Sequence, residues 1–450
     1  MLGKKSKVQP GTGPTQSLRI LLTNGRFPVS LDLARQLSAA GHTVYVLDPM
    51  KRHVCKFSKA VKQSFHAPAP HIDAEGYISE LRKHVSELNI DLIIPLHEEI
   101  FHIALRCRNM PEITDKLCAP PVEMLMALHN KWSFNCLQRA FNLDAPETWL
   151  VSTSADIKSL DLSQELAFKP CFGRAKSNLH HHKPGKPLPQ SLTDSISSAQ
   201  KYVAQVWHNG AQYCTYAVAH KGTVICFAIY PVQDTLDGSS CVYFESIHHD
   251  KIQSYTQTLV EKLNFSGQMA LDFIETDDGR LLAIECNPRA TSGIHLFSAE
   301  RPSPLGQAFT HPDHPFSQNT TLPVLPSPTT KRQLVPGMLM GKSEHNVNFH
   351  GFRRHFKHLV TTRDVLFSSK DVAPSFMQPF LVMSYYEICR ERKIDSIGEM
   401  FQWDLVWEPD EAGVKEVEEL VEGYLKQFER EAGKDVGAGE LTEGSEAIKA

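Results

Sequence analysis

The segment GQMALDFIETDDGRLLAIECNPR, Gly267 to Arg289, carries two apolar runs, MALDFI and LLAIEC, separated by Asp278-Gly279. That dipeptide favours a two-residue hairpin turn, because glycine tolerates the positive φ of a type I′ turn. Folding the chain there sets Asp272 directly opposite Glu285, with both side chains on one face. A four-residue loop would make them diagonal neighbours, still on that face. Two bare carboxylates opposed across a sheet repel, so a fold that keeps them supplies a cation between them. Asn287, two residues beyond Glu285, adds a neutral oxygen to the same face. Asp272, Glu285 and Asn287 are thus a candidate Mg²⁺ set, since that ion takes hard oxygen ligands alongside substrate phosphates. The competing account is a hairpin with solvated acids on its outer face. The apolar company of both acids argues against it.

Working outward, Lys169 ends the apolar run LAFKP just before Gly173, where backbone N–H groups and an ammonium can approach phosphates. Lys131 lies in HNKWSFNCLQRAFNL, within a stretch from Val122 to Asn142 that reads as one helix. Each lysine alone is more often a snorkelling surface residue, and it is their order along the chain that changes that. Further upstream, LRILLTN, SLDLARQLSAAG and HTVYVLD form a β-α-β unit with a right-handed crossover. The helical ISELRKHVSEL and the buried strand DLIIPL extend it to a doubly wound domain over residues 17–120. The turn at Gly25 lacks G-x-G-x-x-G, which argues against a dinucleotide site and a nicotinamide-dependent oxidoreductase. Downstream, SLTDSISSAQKY reads as a helix, and YVAQVW, YCTYAVAH and GTVICFAIYP read as strands. The expected organisation is a flexible arm at 1–16, domains at 17–120 and 121–300, a Pro/Ser/Thr-rich linker at 301–330, an accessory segment at 331–409, and an acidic helix and tail at 410–450.

With 41% hydrophobic residues and a formal net charge of −4, the 450-residue chain is neither a disordered polyelectrolyte nor a nucleic-acid binder by composition. The charge is uneven: residues 410–450 hold 12 acidic and 5 basic side chains, leaving the rest with 39 and 42. No apolar run approaches a membrane span, and no signal peptide follows the first basic residues. Ten cysteines without a C-x-x-C pair suggest reduced thiols and a cytoplasmic protein.

The order Lys131 (HNKWSF), Lys169 (LAFKPCFG), the Q-x-W-x-x-G segment Gln205–Gly210 and LDF…IECNPR resembles the ATP-grasp ligase superfamily, over about residues 17–300. The fold implied is α/β (α+β grasp): a Rossmann-like preATP-grasp domain, then an ATP-grasp domain, then a C-terminal extension. The resemblance implies ATP as cofactor, with Lys131 and Lys169 on its phosphates and Gly173 and Ser177 in a covering loop. It implies that the strand Gln205, Val206, Trp207 passes the adenine, partly through backbone groups. Asp272, Glu285 and Asn287 would hold Mg²⁺, with Mn²⁺ as a substitute. Arg289, with Lys169, would stabilise the transferred phosphoryl group or acyl phosphate. The reaction implied is phosphorylation of a small-molecule carboxylate, an amino acid first among candidates, and its coupling to an amine. Neither nucleic acid nor membrane is an expected partner, and a homodimer is compatible with the family. The sequence departs from the pattern at Gln212, where many members carry a carboxylate, and in the covering loop, which has Gly173 alone and then Arg174, Lys176 and His180 to His182. The triple histidine reads as a solvated loop. These departures keep open a nucleotide-binding pseudoenzyme and an ATP-grasp enzyme with a non-amine acceptor. The stretch RDVLFSSKDVAPSFMQPF resembles a part appended in a subset that includes fungal secondary-metabolite enzymes of the fumisoquin type. It is expected to cap the core rather than to close over an acceptor.

Overall fold

The computed structural model describes residues 17–173, 179–197, 199–236, 240–297, 303–313, 316, 320–340, 349–395, 397–400, 403–407 and 409–435. The arm at 1–16, Ser177 and the end of the acidic tail lie outside them.

The β-α-β reading holds. Strand β1 (Arg19–Leu22) pairs in parallel with β2 (Thr43–Asp48) and, on its other side, with β4 (Leu92–Ile94). Strand β3 (Val61–His66) completes the order β3-β2-β1-β4. Helix α1 (Pro28–Ala40) opens on a proline in its first turn, where no N–H is missed. It ends at Gly41, whose φ of 102° closes a left-handed cap onto the Leu37 and Ser38 carbonyls. Its Leu31, Leu33, Ala34 and Leu37 face the core. Helix α2 (Ala74–Glu87) follows β3, and α3 (Glu99–Cys107) follows β4.

The strand order reverses between β1 and β4, and buried polar groups collect there. Glu99 is fully buried; its Oε1 accepts from Thr23 Oγ1 at 2.8 Å, Leu96 N–H at 2.9 Å and His97 N–H at 3.2 Å. Burial pushes its carboxyl up to about 7, against a partial offset by those donors. A carboxyl raised from 4.5 favours the fold while protonated, so its contribution is complete below about 4.5 and is lost as pH climbs to about 7. Glu99→Gln keeps the accepting oxygen and removes the titration. We expect it to flatten stability between those pH values and to add on the order of 2–3 kcal/mol at pH 8. Denaturant midpoints measured from pH 4 to 8 check this; parallel curves for parent and variant would refute it.

The helix expected from Val122 to Asn142 is two, α4 (Val122–His129) and α5 (Lys131–Ala140). The break is Asn130, whose extended backbone lets its side chain accept from the N–H groups of Trp132 and Ser133, both at 3.0 Å. Lys131 therefore stands at the head of α5.

A small antiparallel sheet follows: β5 (Thr148–Val151), β6 (Leu166–Pro170), β7 (His180–His182) and β8 (Tyr202–Val206), ordered β5-β8-β6-β7. The triple histidine is therefore a strand paired to β6, not a solvated loop. His181 stacks on Trp207 at 3.7 Å, and His182 Nε2 meets the Leu162 carbonyl at 3.0 Å. Among the described residues of SLTDSISSAQKY, helix is confined to its start, in the element Gln190–Ser195.

The large sheet joins β9 (Gly210–His220), β10 (Thr223–Pro231), β11 (Gly267–Thr276) and β12 (Leu281–Asn287) in the order β10-β9-β11-β12. The hairpin differs from expectation at its tip. Thr276 pairs with Arg280 around a three-residue loop, with Gly279 at φ 81°. A bulge then leaves Ile284 as the extra residue of β12, and the count recovers so that Asp272 faces Glu285 after all.

The stretch read as a linker contains a helix, Pro304–Thr310, whose Leu305, Ala308 and Phe309 are buried. Lys331–Gln333 pairs with both Tyr243–Glu245 and Arg363–Asp364. Val365, Leu366, Leu381 and Tyr385 join one hydrophobic cluster with Ile20, Leu33, Tyr216 and Ile294, so the appended segment caps the core. The acidic helix Glu411–Asp435 lies against α4 and α5 and buries Val414, Val417 and Val421. No helix of the described residues is long and apolar enough to cross a membrane.

Candidate active site

Two sheets contribute facing halves of one polar site. From the large sheet, the β11–β12 pairing places Asp272 against Glu285 and Ala270 against Asn287. Burial and then the Glu285 charge push the Asp272 carboxyl up to about 6, with a Cys214 hydrogen bond, Arg289 and Lys169 pulling the other way. Asn287 Nδ2 donates to Asp272 Oδ2 at 3.4 Å, and Arg289 Nη2 donates to Asn287 Oδ1 at 2.9 Å. Asn287 thus presents its amide nitrogen to the acids; half a turn of the amide would present the oxygen. Arg289 is buried, and its Nε has no hydrogen-bond partner among the described residues. That donor is available to an oxyanion.

From the small sheet and α5 come the ammonium groups. Lys131 Nζ donates to the Gly173 carbonyl at 2.8 Å and lies 3.7 Å from Glu285 Oε1. Lys169 Nζ donates to Gln205 Oε1 at 2.9 Å, and Gln205 Nε2 donates to Thr148 Oγ1 at 3.2 Å. This chain exists because β5, β8 and β6 are neighbours: Thr148 faces Gln205, and Gln205 faces Ala167. Burial drags the Lys169 ammonium down to about 8, opposed by Glu285, reinforced by Lys131 and opposed again by Asp272. Polyphosphate binding favours the charged lysine, so affinity should be flat below that value and fall above it. We expect ATP affinity to drop about tenfold per pH unit beyond about 8.5 in the parent and to stay level in Lys169→Arg, which remains charged. Titrations from pH 7 to 9.5 measure it; a flat parent curve would refute the phosphate role.

Of the residues expected at the site, Lys131, Lys169, Gly173, Asp272, Glu285, Asn287 and Arg289 converge, joined by Gln205. Trp207 stands apart, its ring against His181. The N–H groups of Val206 and Trp207 already donate to the carbonyls of Glu147 and Glu165, both at 2.9 Å, so these two donors are spent within the sheet. The side chain of Gln205 joins Lys169 to Thr148. Cys171 is buried, its thiol pushed up to about 12 by burial, which suits packing and not nucleophilic attack. Two residues were not foreseen. Thr148, which orients Gln205, was legible only through the pairing of β5 with β8. Cys214 is set opposite Asp272 by the β9–β11 register.

The charge pattern suits a divalent cation. Opposed carboxylates, one of them raised to about 6, carry a repulsion that such an ion would relieve with hard oxygen ligands.

No protein-family model and no curated protein matches the sequence. Solved structures do. The biotin carboxylase–βγ-ATP complex from Campylobacter jejuni superposes with a TM-score of 0.54 at 14% identity, over 66% of this chain and 71% of that one. N5-carboxyaminoimidazole synthetase from Staphylococcus aureus gives 0.50 at 14% identity, over 62% and 72%. The chain has an ATP-grasp fold. Rhizobium etli pyruvate carboxylase T882A carries the same ATP-grasp architecture over 30% of its length, matching 70% of this chain at 0.52 and 14% identity. At such identity the likeness is one of fold, with β5–β8 as one half of the grasp and β9–β12 as the other.

Proposed function

We propose that this protein is an ATP-dependent carbon–nitrogen ligase. In this reading it phosphorylates a small-molecule carboxylate, to be sought first among amino acids, and couples the acyl phosphate to an amine with release of ADP and phosphate. The observation that carries the reading is the convergence of Lys131 and Lys169 on the opposed pair Asp272 and Glu285, with buried Arg289 alongside. Phosphoryl transfer asks a protein for little covalent chemistry and much charge neutralisation and positioning, and this set supplies both. Asp272, Glu285 and Asn287 would hold Mg²⁺, which when bound neutralises phosphate oxygens. Lys131 and Lys169 would take the phosphates from the opposite side. Lys169 is pre-aimed by Gln205, which Thr148 anchors. Arg289 would bind the transferred group through the donor it leaves unused. All ten cysteines are free thiols, in keeping with a cytoplasmic enzyme. The resemblance of the C-terminal segment to fungal secondary-metabolite ligases supports a role in secondary metabolism as part of the same proposal.

The test is ADP release from Mg-ATP, screened against pools of amino acids, other small carboxylates and amines. ADP formed only when one acid and one amine are both present is the expected result. ADP formed with an acid alone, and trapped by hydroxylamine, would keep the acyl phosphate and reject the amine as obligatory acceptor. ATP bound without stimulation by any pool would favour a nucleotide-binding pseudoenzyme.

A further inference from the structure

A cavity of about 1280 Å³ opens on the C-terminal side of the β6 end, and none of Lys169, Asp272, Glu285, Asn287 or Arg289 lines it. Its walls include the α4–α5 junction, the turn Pro170–Gly173, residues between Ser197 and Lys201, and C-terminal side chains among which are Trp403, Trp407 and Glu422. Its volume exceeds the few hundred to about 1,000 Å³ that commonly encloses a small ligand.

The chemistry of the walls is specific. Trp132, Phe172, Trp403 and Trp407 all face it. Trp407 is held in place, its ring 5.1 Å from Phe172 and 6.2 Å from Phe101, and its backbone N–H donates to Glu98 Oε2 at 3.2 Å. The guanidinium of Arg392 lies 5.4 Å from the Trp403 ring, so one face of that ring already attracts a cation. Among the described lining residues, six are carboxylates: Glu98, Glu399, Asp410, Glu411, Glu418 and Glu422. Lys201 is the one lysine or arginine among them, and Glu418 neutralises it at 2.7 Å. Glu98 is 1% exposed and sits deep, whereas Glu411 and Glu422 are exposed at the mouth. A concave surface of one charge sign with apolar walls focuses its field on what enters. Aromatic faces interleaved with carboxylates match an ammonium carried on a flat apolar body, and they repel an acid of the same shape.

We propose that this cavity binds an amine-bearing aromatic small molecule, its ring among Trp132, Phe172, Trp403 and Trp407 and its ammonium at the carboxylates. Binding there requires neither nucleotide nor metal, so it stands or falls separately from the ligase reaction. The cavity and the phosphate side share Gly173, whose carbonyl Lys131 grips at 2.8 Å.

The experiment is calorimetric titration of the full chain, without ATP or Mg²⁺, using tryptamine and phenethylamine as probes. Their controls are indole-3-propionate and 3-phenylpropionate, of matching shape and opposite charge. The amines should bind at least about tenfold tighter than the acids, and Trp403→Leu or Glu422→Gln should each weaken amine binding several-fold, the exposed Glu422→Gln at an unchanged melting temperature. Equal affinity for amine and acid, no amine binding up to about 10 mM, or variants that bind as the parent does would each overturn the assignment.

Discussion

Glu285→Gln is expected to cut Mg²⁺-dependent ADP release by about 10²–10³-fold while the protein stays folded. The substitution keeps the shape and one accepting oxygen of a side chain that is 13% exposed, so packing has little reason to change. What it removes is the charge that faces Asp272 and attracts both lysines. Three consequences follow from the geometry, each with its own readout. The Mg²⁺ concentration for half-maximal nucleotide binding should rise, since one anionic ligand is gone. The Asp272 carboxyl should return toward its ordinary range, because a like charge opposite it has been deleted. The Lys169 ammonium should fall further below about 8, because Glu285 is the largest influence holding it up. The alkaline limb of ATP affinity therefore moves to lower pH in the variant. A variant that turns over at the parent rate at sub-millimolar Mg²⁺ would remove Glu285 from the metal set, whatever its effect on Lys169.

How the acid pair could be read from sequence, and how far, is visible in the hairpin itself. The apolar runs MALDFI and LLAIEC announce two strands, and Asp278-Gly279 announces a turn. The turn that forms has three residues, which by itself would have moved Asp272 off Glu285 by one place. The bulge at Ile284 restores the register, so the pairing at the site is right although the loop is not. Local patterns behaved likewise elsewhere. The β-α-β unit was legible because strand, helix and turn each lie within a few residues. The helix break was legible in principle, since Asn followed by a polar first turn is an N-cap signal, and Asn130 reads as one only once its two amide bonds are seen. Contacts between distant strands were not legible. The Thr148–Gln205–Lys169 chain depends on β8 inserting between β5 and β6, an order that no short-range pattern encodes. Nor does composition distinguish a Pro- and Ser-rich linker from one that folds Pro304–Thr310 into the core.

The same distance in sequence governs the second large effect, at a lock between the two ends of the chain. Arg26 follows β1 and is buried with its guanidinium between Asp48, at 2.7 Å, and Asp404, at 2.5 Å and 378 residues away. Asp48 also accepts from the N–H groups of Gly25 and Met50, at 2.7 and 2.6 Å. Burial alone would raise the Asp48 carboxyl, and Arg26, His53 and the Gly25 N–H together more than offset it, leaving the group below its usual value. Burial keeps the Asp404 carboxyl above its own. Such a triad gains little over apolar packing while whole, but removing one member strands the others without water. Arg26→Met is therefore expected to cost about 3–5 kcal/mol in denaturant unfolding, near the upper end for a single substitution. Adding Asp48→Asn and Asp404→Leu to it should recover part of that loss, because no buried charge would remain and an amide oxygen at position 48 would still accept from one of the two backbone N–H groups. Asp404 stands just ahead of Trp407, whose backbone N–H is fixed to Glu98 across the same junction. Loss of Arg26 should accordingly free the C-terminal segment first, and limited proteolysis of Arg26→Met should cut between 393 and 410 well before the core. Cleavage there at the parent's rate, together with a small stability loss, would show that the segment is held by its apolar contacts and not by the lock.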